Sequence, residues 1–351
     1  MICARLYYLA ETNHWICNTQ AGFRKQRSTE DQVLRITQAV SDGFQTKPAR
    51  RTLMVMLDYS KAYDRVWRQE LQMVRWFRSF LENRTAQVLY NGSYSKRVHL
   101  CQGLPQGAVS SPLLFLIYID SLSEAIPEEV ENALFADDAS IWVSHPDLDR
   151  ASVLIQLALD QIANWSAKKK MDLKVAKCEV TFFSPSSHEA KWRPKVTLFG
   201  EEVPFNPTPK FLGVYLDRTL SFRKHVEYAT HKASDRCKIL SSLASKKWGW
   251  RKESLRKVYL TTQRSVLDYA APAWQPWLSE TQSKRLETAQ NKALRLVTGQ
   301  YASTPVEALR LEAGVVSYKT HSTRLTAISA EKAVRLPADH PAASPSSQTL
   351  R

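Results

Sequence analysis

The sequence predicts an α+β protein, with short strands and helices in the first two thirds of the chain and helices almost throughout the last third. A continuous apolar run at 51–57 indicates a buried strand. Two short apolar runs around Asp137 and Asp138 indicate a tight β-hairpin. Apolar residues at three- and four-residue steps over 226–244 indicate an amphipathic helix. Strand signals end near residue 217, and the helical pattern follows.

The predicted strands of the first half both place carboxylates at their ends. The strand at 51–57 is followed at once by Asp58. The hairpin is built from segments 133–136 and 139–143, so its two aspartates lie at the tip. Between these strands, two serines before Pro112 mark the start of a buried helix that runs to residue 119.

Three further segments complete the prediction. Segments 195–199 and 211–215 are separated by a turn and a proline-rich stretch, which suggests a second small sheet. In the last third, Ser279 is a helix cap and Gly299 is a natural helix end. Residues 337–351 contain three prolines among alanine and serine, which predicts a disordered tail.

Composition limits the classes of partner and compartment. The 351 residues include 49 Lys and Arg against 34 Asp and Glu, and the net charge of +15 favours a polyanion such as nucleic acid or an acidic membrane surface. The apolar run 113–119 is too short to span a membrane, and the N-terminal residues lack the pattern of a secretory signal. Five scattered cysteines without a CxxC pair argue against a disulfide framework and a zinc site. The sequence therefore predicts an intracellular protein that is neither secreted nor membrane-bound.

The carboxylates are the main candidates for chemistry. Asp137 and Asp138 repel each other when partly buried, so one must shift its pKa or a cation must bind. Taken alone, the pair is more simply a solvated turn. Asp58 at a second strand end changes the balance, because Mg²⁺ takes oxygen ligands and two such ions assist phosphoryl transfer.

Five ordered segments carry a resemblance to a known family. They are Gln20-Ala-Gly-Phe-Arg-Lys-Gln-Arg-Ser-Thr29, Leu57-Asp-Tyr-Ser-Lys-Ala-Tyr-Asp-Arg-Val66, Gln102-Gly-Leu-Pro-Gln-Gly-Ala-Val-Ser-Ser-Pro112, Phe135-Ala-Asp-Asp138 and Phe211-Leu-Gly-Val-Tyr-Leu-Asp217. The middle three resemble the successive palm motifs of reverse transcriptases. With the first and last segments, the chain resembles the LINE-type (non-LTR), jockey-like retrotransposon enzymes from about residue 5 to 335.

The resemblance implies a right-hand polymerase fold whose palm is an antiparallel sheet with packed helices. It implies a fingers remnant at 1–50, a palm at 51–217 that includes the nucleotide and primer-grip motifs, and a helical thumb and connection at 218–336. The implied activity is RNA-directed DNA polymerisation, in which a dNTP is added to the 3′-hydroxyl of a DNA primer on an RNA template. Protein partners are not indicated.

The resemblance also implies roles for single residues near the reaction. Asp58, Asp137 and Asp138 would bind two Mg²⁺ ions, with Mn²⁺ as a substitute, and Lys177 would protonate the departing pyrophosphate or balance its charge. Tyr63 would exclude a 2′-hydroxyl and so select deoxynucleotides; without the motif it is an ordinary core tyrosine.

Further implied contacts concern the nucleotide and the template. Gln106 and Gly107, with Gly103, form a loop whose backbone can approach either ligand closely. Arg24 and Arg27 are candidates for contacts to triphosphate or template, with a solvated loop as the alternative.

Two further regions are candidates for holding nucleic acid. Gly213 lies in the segment that corresponds to the primer grip. A basic run with Trp248 and Trp250 could contact phosphates and stack on bases, although such runs are usually solvated helix faces. Its candidate contact residues are Lys246, Lys247, Arg251 and Lys252.

Three departures from the family pattern limit the implied activity. The resemblance implies that the earlier fingers segments and an upstream endonuclease lie outside this sequence, as does a downstream ribonuclease H domain. Between Val66 and Asn91 the sequence has no glycine or proline, so Trp67–Leu71 and Met73–Phe77 look directly joined, as after a deletion.

Two alternatives to an active polymerase stay open. The chain could be a catalytically inactive retroelement relic that retains nucleic-acid binding through the basic thumb. It could also be a two-metal nuclease that uses the same aspartates, although nothing in the sequence supplies a site for an attacking water.

Overall fold

The computed structural model describes residues 2–71, 75–244, 249–336 and 340. The chain divides into two compact units. The sheet unit contains Met1–Ser28 and Gly43–Asn206, and the helical unit contains Thr29–Asp42 and Pro207–Arg351. The predicted boundary at residue 217 therefore falls inside the helical unit, and the predicted tail at 337–351 lies outside the described residues apart from His340.

The α-helices and β-strands are numbered here in chain order. The α-helices are α1 (Ile2–Thr12), α2 (Thr29–Gln45), α3 (Ala62–Arg65), α4 (Arg75–Leu81), α5 (Ser111–Ile119), α6 (Leu148–Lys168), α7 (Arg223–Leu243), α8 (Lys252–Val258), α9 (Ser265–Asp268), α10 (Ala271–Trp274), α11 (Glu280–Thr298), α12 (Val306–Ala313) and α13 (Tyr318–Arg335). The strands are β1 (Arg51–Asp58), β2 (Thr85–Ala86), β3 (Leu89–Tyr90), β4 (Ser93–Tyr94), β5 (Val98–His99), β6 (Glu131–Phe135), β7 (Asp138–His145), β8 (Glu179–Phe183), β9 (Thr197–Leu198), β10 (Glu201–Glu202), β11 (Lys210–Phe211) and β12 (Val214–Tyr215).

The sheet unit is built on four antiparallel strands in the order β6-β7-β1-β8. β1 is the predicted apolar strand, and it lies between β7 and β8 because its side chains from Thr52 to Val55 are buried. β6 and β7 form the predicted hairpin. Its turn contains Ala136 and Asp137, whereas Asp138 is the first residue of β7 rather than a turn residue.

Helices α5 and α6 supply much of the apolar core of the sheet unit. α6 packs on β1 and β7, and its buried side chains follow a helical period. α5 is the predicted buried helix after the two serines, with Pro112 in its first turn. The predicted serine cap differs in detail: the Ser110 side chain makes no capping bond, and Ser111 Oγ donates to the Pro105 carbonyl at 2.6 Å.

The predicted second small sheet is wrong. Segment 195–199 contributes β9, which pairs with β10 across a turn at Phe199 and Gly200. Segment 211–215 folds back on itself, with β11 paired to β12 across Gly213. Local turns with positive φ allow each ribbon to close on itself, so the two segments need no long-range pairing.

The helical unit contains the two predicted helices, α7 and α11, which pack together. The buried face of α7 includes Val226, Ala229 and Ala233, as the apolar period predicted. α11 begins with a capping box in which Ser279 and Gln282 satisfy each other's backbone N–H groups. It ends at Gly299, whose φ of 70° is easily adopted by glycine. Among the helices described, none combines the length and hydropathy needed to cross a bilayer.

Acid is expected to destabilise the helical unit through His225, a buried residue of α7. Its Nδ1 accepts a hydrogen bond from the Tyr215 N–H at 3.3 Å, and its ring packs edge-on against Trp274. Burial, followed by the charge of Lys210, lowers the pKa of His225 to about 4. A histidine in the unfolded chain protonates near pH 6.5. The contribution of neutral His225 to the free energy of unfolding is therefore complete above that pH and is lost as the pH falls through 4.

Urea unfolding at pH 7 and pH 4.5 tests this expectation. Between pH 7 and pH 4.5, the free energy of unfolding of the wild-type protein should fall by about 2–3 kcal/mol more than that of His225→Gln. Glutamine can still accept the Tyr215 hydrogen bond. His231→Gln is the matched control, because it removes an exposed histidine from the same helix. Equal acid losses in all three proteins would contradict the assignment.

Candidate active site

The three aspartates converge at one end of the sheet. Asp58 ends β1 and lies directly opposite Asp138 in the β1–β7 ladder. Phe135 of β6 lies opposite Asp138 on its other side, so Asp137 belongs to the connecting turn. Residues opposite each other in an antiparallel pair have Cα atoms about 4.5–5.5 Å apart. The fold therefore brings together carboxylates that are 79 and 80 positions apart in the sequence.

The electrostatics of the three carboxylates reflect this closeness. Desolvation raises the pKa of the Asp138 carboxyl, and the charges of Asp137 and Asp58 raise it further. Lys177 Nζ lies 3.8 Å from Asp58 Oδ1, and both side chains are exposed to solvent. The Lys174 N–H also donates to the Asp58 carbonyl at 3.1 Å, which fixes the lysine segment beside β1. The site thus places mutually repelling carboxylates beside the ammonium group of Lys177.

The donor chemistry of this site fits a hard divalent ion. Carboxylate oxygens are the ligands that Mg²⁺ and Mn²⁺ prefer, and a bound cation would offset both the desolvation and the repulsion that raise the Asp138 pKa. Within residues 2–71, 75–244, 249–336 and 340, however, no three His, Cys, Asp or Glu side chains are arranged as a metal cage. The backbone therefore brings the three aspartates together, but their side chains are not oriented around a single metal position.

Tyr63 of α3 lies next to the carboxylates. Its ring stacks on Phe115 with centroids 4.5 Å apart and planes at 14°. Desolvation, followed by the charge of Asp137, raises the pKa of Tyr63 to about 12, so the phenol is neutral at physiological pH. Its buried hydroxyl has no hydrogen-bond partner among the described residues. The ring is therefore held by packing rather than by its polar group.

The loop at 103–107 is bonded to the segment that carries Tyr63. The Leu104 N–H donates to the Tyr63 carbonyl at 2.8 Å, and Gln106 Nε2 donates to Asp64 Oδ1 at 3.1 Å. A Cβ on Gly103 would lie 2.8 Å from the Asp64 carbonyl oxygen, so this glycine permits a close approach to the protein's own backbone. This contact by itself accounts for a glycine at position 103. Gly107 has a φ of +84° and open space around it.

The two candidate arginines are engaged with their own loop. Arg24 is buried and forms a two-pronged ion pair with Glu11 at 2.9 and 2.6 Å, while its Nη1 donates to the Cys17 carbonyl at 2.7 Å. This inward guanidinium does not support the predicted contact with triphosphate or template, because its donors already have partners. Arg27 is half-buried and donates to the carbonyl and side-chain oxygens of Asn18.

The candidate nucleic-acid contacts of the helical unit differ in their surroundings. Gly213 has a φ of +89°, and a Cβ there would lie 2.9 Å from the Tyr269 ring. Arg251 is exposed at the start of α8, and the partly exposed Lys252 forms a 2.6 Å ion pair with Glu312 at the surface. The other two candidates, Lys246 and Lys247, lie outside the described residues.

The sequence did not reveal the contact between Gln20–Gly22 and the aspartate turn. The Ala21 N–H donates to the Leu134 carbonyl at 2.8 Å, beside the turn that holds Asp137. A Cβ on Gly22 would lie 2.2 Å from the Ala136 nitrogen, so no side chain can occupy that position. The one available signal was the glycine itself, in a segment that otherwise resembles a loop.

Gly22→Ala is expected to destabilise the sheet unit by about 3 kcal/mol, because the added methyl group would displace backbone rather than a flexible side chain. Gly43→Ala is the matched control. Its Cβ would meet Arg50 at 3.5 Å, an ordinary contact, and alanine should stabilise α2 by roughly 0.5–1 kcal/mol. Urea unfolding of both variants measures the difference. A Gly22→Ala protein as stable as wild type would contradict the close contact.

The family model that matches this chain, and two of the curated proteins similar to it, are all described as RNA-directed DNA polymerases. The family model described as reverse transcriptase (RNA-dependent DNA polymerase) matches residues 1–216. The RNA-directed DNA polymerase from mobile element jockey of Drosophila funebris is 26% identical over 315 residues, covering 85% of this chain and 34% of that protein. The probable RNA-directed DNA polymerase from transposon X-element of Drosophila melanogaster is 28% identical over 323 residues with the same coverage.

The chain therefore spans about a third of the length of these curated relatives. Among solved structures, telomerase from Candida tropicalis in complex with a telomeric RNA fragment is similar to this chain. The match has a TM-score of 0.42 and 14% identity, and it covers 92% of this chain and 55% of that one.

Proposed function

Since this chain belongs to the reverse transcriptase (RNA-dependent DNA polymerase) family, we propose that it is the polymerase segment of a non-LTR, jockey-like retrotransposon protein. It transfers a nucleotide from a dNTP to the 3′-hydroxyl of a DNA primer on an RNA template. The observation that carries this proposal is the pairing of Asp58 with Asp138 across β1 and β7, with Asp137 in the adjoining turn.

Divalent ions complete the proposed site. Asp58, Asp137 and Asp138 would hold two Mg²⁺ or Mn²⁺ ions, which supply Lewis-acid stabilisation of negative oxygens in phosphoryl transfer. The chain's own part is to gather the three carboxylates at one sheet end against their mutual repulsion. The sheet register does this, because it fixes both backbones to which the carboxylates are attached.

Lys177 is proposed to handle the proton and charge of the leaving group. Its Nζ lies 3.8 Å from Asp58 Oδ1 and remains accessible to solvent, so it can also reach a ligand beside that carboxylate. An ammonium group at this place can donate a proton to the departing pyrophosphate or neutralise its charge.

Tyr63 and the 103–107 loop are proposed to contact the incoming nucleotide. The Tyr63 ring is fixed by Phe115 and lies close enough to Asp137 for their charges to interact. A fixed ring at this position supports exclusion of a 2′-hydroxyl. Gln106 and Gly107 are on the loop that bonds to this segment, and the open space at Gly107 is compatible with a nearby ligand.

The division of the chain into palm and thumb is also part of the proposal. The four-stranded sheet with α5 and α6 supports assignment of a palm to the sheet unit. The helices that follow residue 217 are proposed to form the thumb. Gly213, in the segment that corresponds to the primer grip, is a candidate contact with the primer. Arg251 and Lys252, at the start of α8, are candidates for contacts with the duplex. Arg24 is no longer a candidate for contact with triphosphate or template, because its buried guanidinium is engaged within the protein.

Primer extension on a primed RNA template tests the function directly. The purified chain should extend the primer with dNTPs in the presence of Mg²⁺ or Mn²⁺ and stop when the ions are chelated. Binding of the same primer-template should weaken steeply with salt, since basic residues displace counterions from phosphates. Salt-dependent binding without extension would identify the inactive relic instead, and metal-dependent cleavage without nucleotides would favour the nuclease.

A further inference from the structure

The aspartate turn depends on one residue with an unfavourable backbone. Ala136 connects β6 to Asp137 and has a φ of 56°, in the left-handed region that alanine seldom adopts. It is followed by two carboxylates that repel each other and Asp58. A turn of this kind keeps its shape only if surrounding groups hold it.

The side-chain amide of Gln20 holds both polar groups of Ala136. The Ala136 N–H donates to Gln20 Oε1 at 2.9 Å, and Gln20 Nε2 donates to the Ala136 carbonyl at 3.3 Å. Gln20 is 1% exposed, so water does not compete for these bonds. One side chain, 116 positions away in the sequence, therefore satisfies both peptide groups of the residue before Asp137.

Gln20 is itself fixed against the hairpin. Its Oε1 also accepts the Gly22 N–H at 2.9 Å, which sets the orientation of the amide. On either side of it, the Thr19 carbonyl accepts the Leu134 N–H at 3.0 Å and the Ala21 N–H donates to the Leu134 carbonyl at 2.8 Å. The missing side chain of Gly22 allows the two backbones to approach this closely.

We infer that Gln20 is a positioning residue for the proposed polymerase site, and that it fixes the backbone from which Asp137 and Asp138 reach the metal ions. This inference rests on the proposed function and adds to it a residue that contacts neither substrate nor metal. Groups that orient metal ligands commonly change metal affinity or activity by about 10–100-fold when they are removed.

The test compares Gln20→Met with Gln156→Met in the full chain. Methionine has a similar size and removes the amide hydrogen bonds. Gln156 is a matched control, because its side-chain amide also bonds both backbone groups of a single residue. Its Nε2 donates to the Thr197 carbonyl at 3.0 Å, and its Oε1 accepts the Thr197 N–H at 2.8 Å. Thr197 belongs to β9, which is part of the same sheet unit. Mn²⁺ binding by electron paramagnetic resonance, primer-extension kinetics and hydrogen exchange of the peptide 133–143 are measured for both variants.

Gln20→Met is expected to weaken Mn²⁺ binding by about 10–100-fold and to lower kcat by a similar factor, with KM for dNTP nearly unchanged. Exchange in peptide 133–143 should become faster while the rest of the chain stays protected, which shows that the protein is folded. Gln156→Met should match wild type in metal binding and kcat. Equal Mn²⁺ affinities for wild type and Gln20→Met would overturn the inference.

The two proposals fail in different ways. A wild-type chain that extends primers, with a Gln20→Met variant of unchanged kcat and Mn²⁺ affinity, removes the positioning role and leaves the polymerase intact. A wild-type chain that neither extends primers nor binds Mn²⁺ more tightly than Asp137→Asn overturns the proposed function.

Discussion

Asp58→Asn is expected to lower primer extension by at least about 10³-fold without unfolding the protein. A carboxylate that binds a catalytic ion contributes several kcal/mol of transition-state stabilisation, and each 1.4 kcal/mol corresponds to a factor of about ten. Asparagine has the same shape and keeps the β1–β7 pairing, because the ladder uses only the backbone of Asp58. The loss should therefore appear in kcat and in Mn²⁺ affinity, with little change in the midpoint of urea unfolding.

Asp160→Asn is the control for this change. It removes the same charge from an exposed position on α6, where the carboxylate accepts a bond from Gln156. This variant should extend primers at the wild-type rate. If both variants were equally active, or if Asp58→Asn kept more than about a tenth of wild-type activity, the proposed role of Asp58 would be wrong.

Tyr63→Ala is expected to reduce the preference for dNTP over rNTP by about 10–200-fold. Shape exclusion of one small group in an apolar pocket contributes about 1–3 kcal/mol of discrimination. The Tyr63 ring is stacked on Phe115 and cannot easily move away, so its bulk is available for this exclusion. The ratio of kcat/KM for the two nucleotides measures the effect, since a general loss of activity affects both alike.

Tyr63→Phe separates the bulk of the ring from its hydroxyl. The hydroxyl is buried without a partner among the described residues, and its pKa of about 12 keeps it neutral. Phenylalanine should therefore retain wild-type discrimination and leave stability unchanged or slightly higher. Loss of discrimination in Tyr63→Phe would show that the hydroxyl, rather than the ring, selects the sugar.

The sequence predicted the parts of the site that depend on short-range patterns. An apolar run that ends in an acid indicates a buried strand with Asp58 at its end, and two runs around an Asp-Asp pair indicate a hairpin. Because the first pattern spans eight residues and the second eleven, tertiary contacts did not need to be known. That Asp58 and the two hairpin aspartates share one site followed from the family resemblance rather than from the patterns.

Contacts between distant polar groups could not be predicted in this way. The Gln20 amide bonds to Ala136, and the Arg24 guanidinium bonds to Glu11, through geometry that no periodicity records. From sequence alone, an arginine in a basic loop suggests a contact with a ligand, because its partners within the protein are not known. The wrong prediction of a second small sheet has a related cause. The apolar segments near 197 and 211 indicate strands, but they do not identify the strands with which each one pairs.

The central position of β1 also limits which changes in chain length the site can survive. β1 is paired along its length with β7 on one side and over Thr52–Met56 with β8 on the other. One inserted or deleted residue within it would turn the following side chains to the opposite face of the sheet. Asp58 would then no longer lie opposite Asp138, even with every aspartate retained. A frame-preserving codon loss in this strand should therefore abolish the proposed polymerase activity as completely as the loss of Asp58 itself.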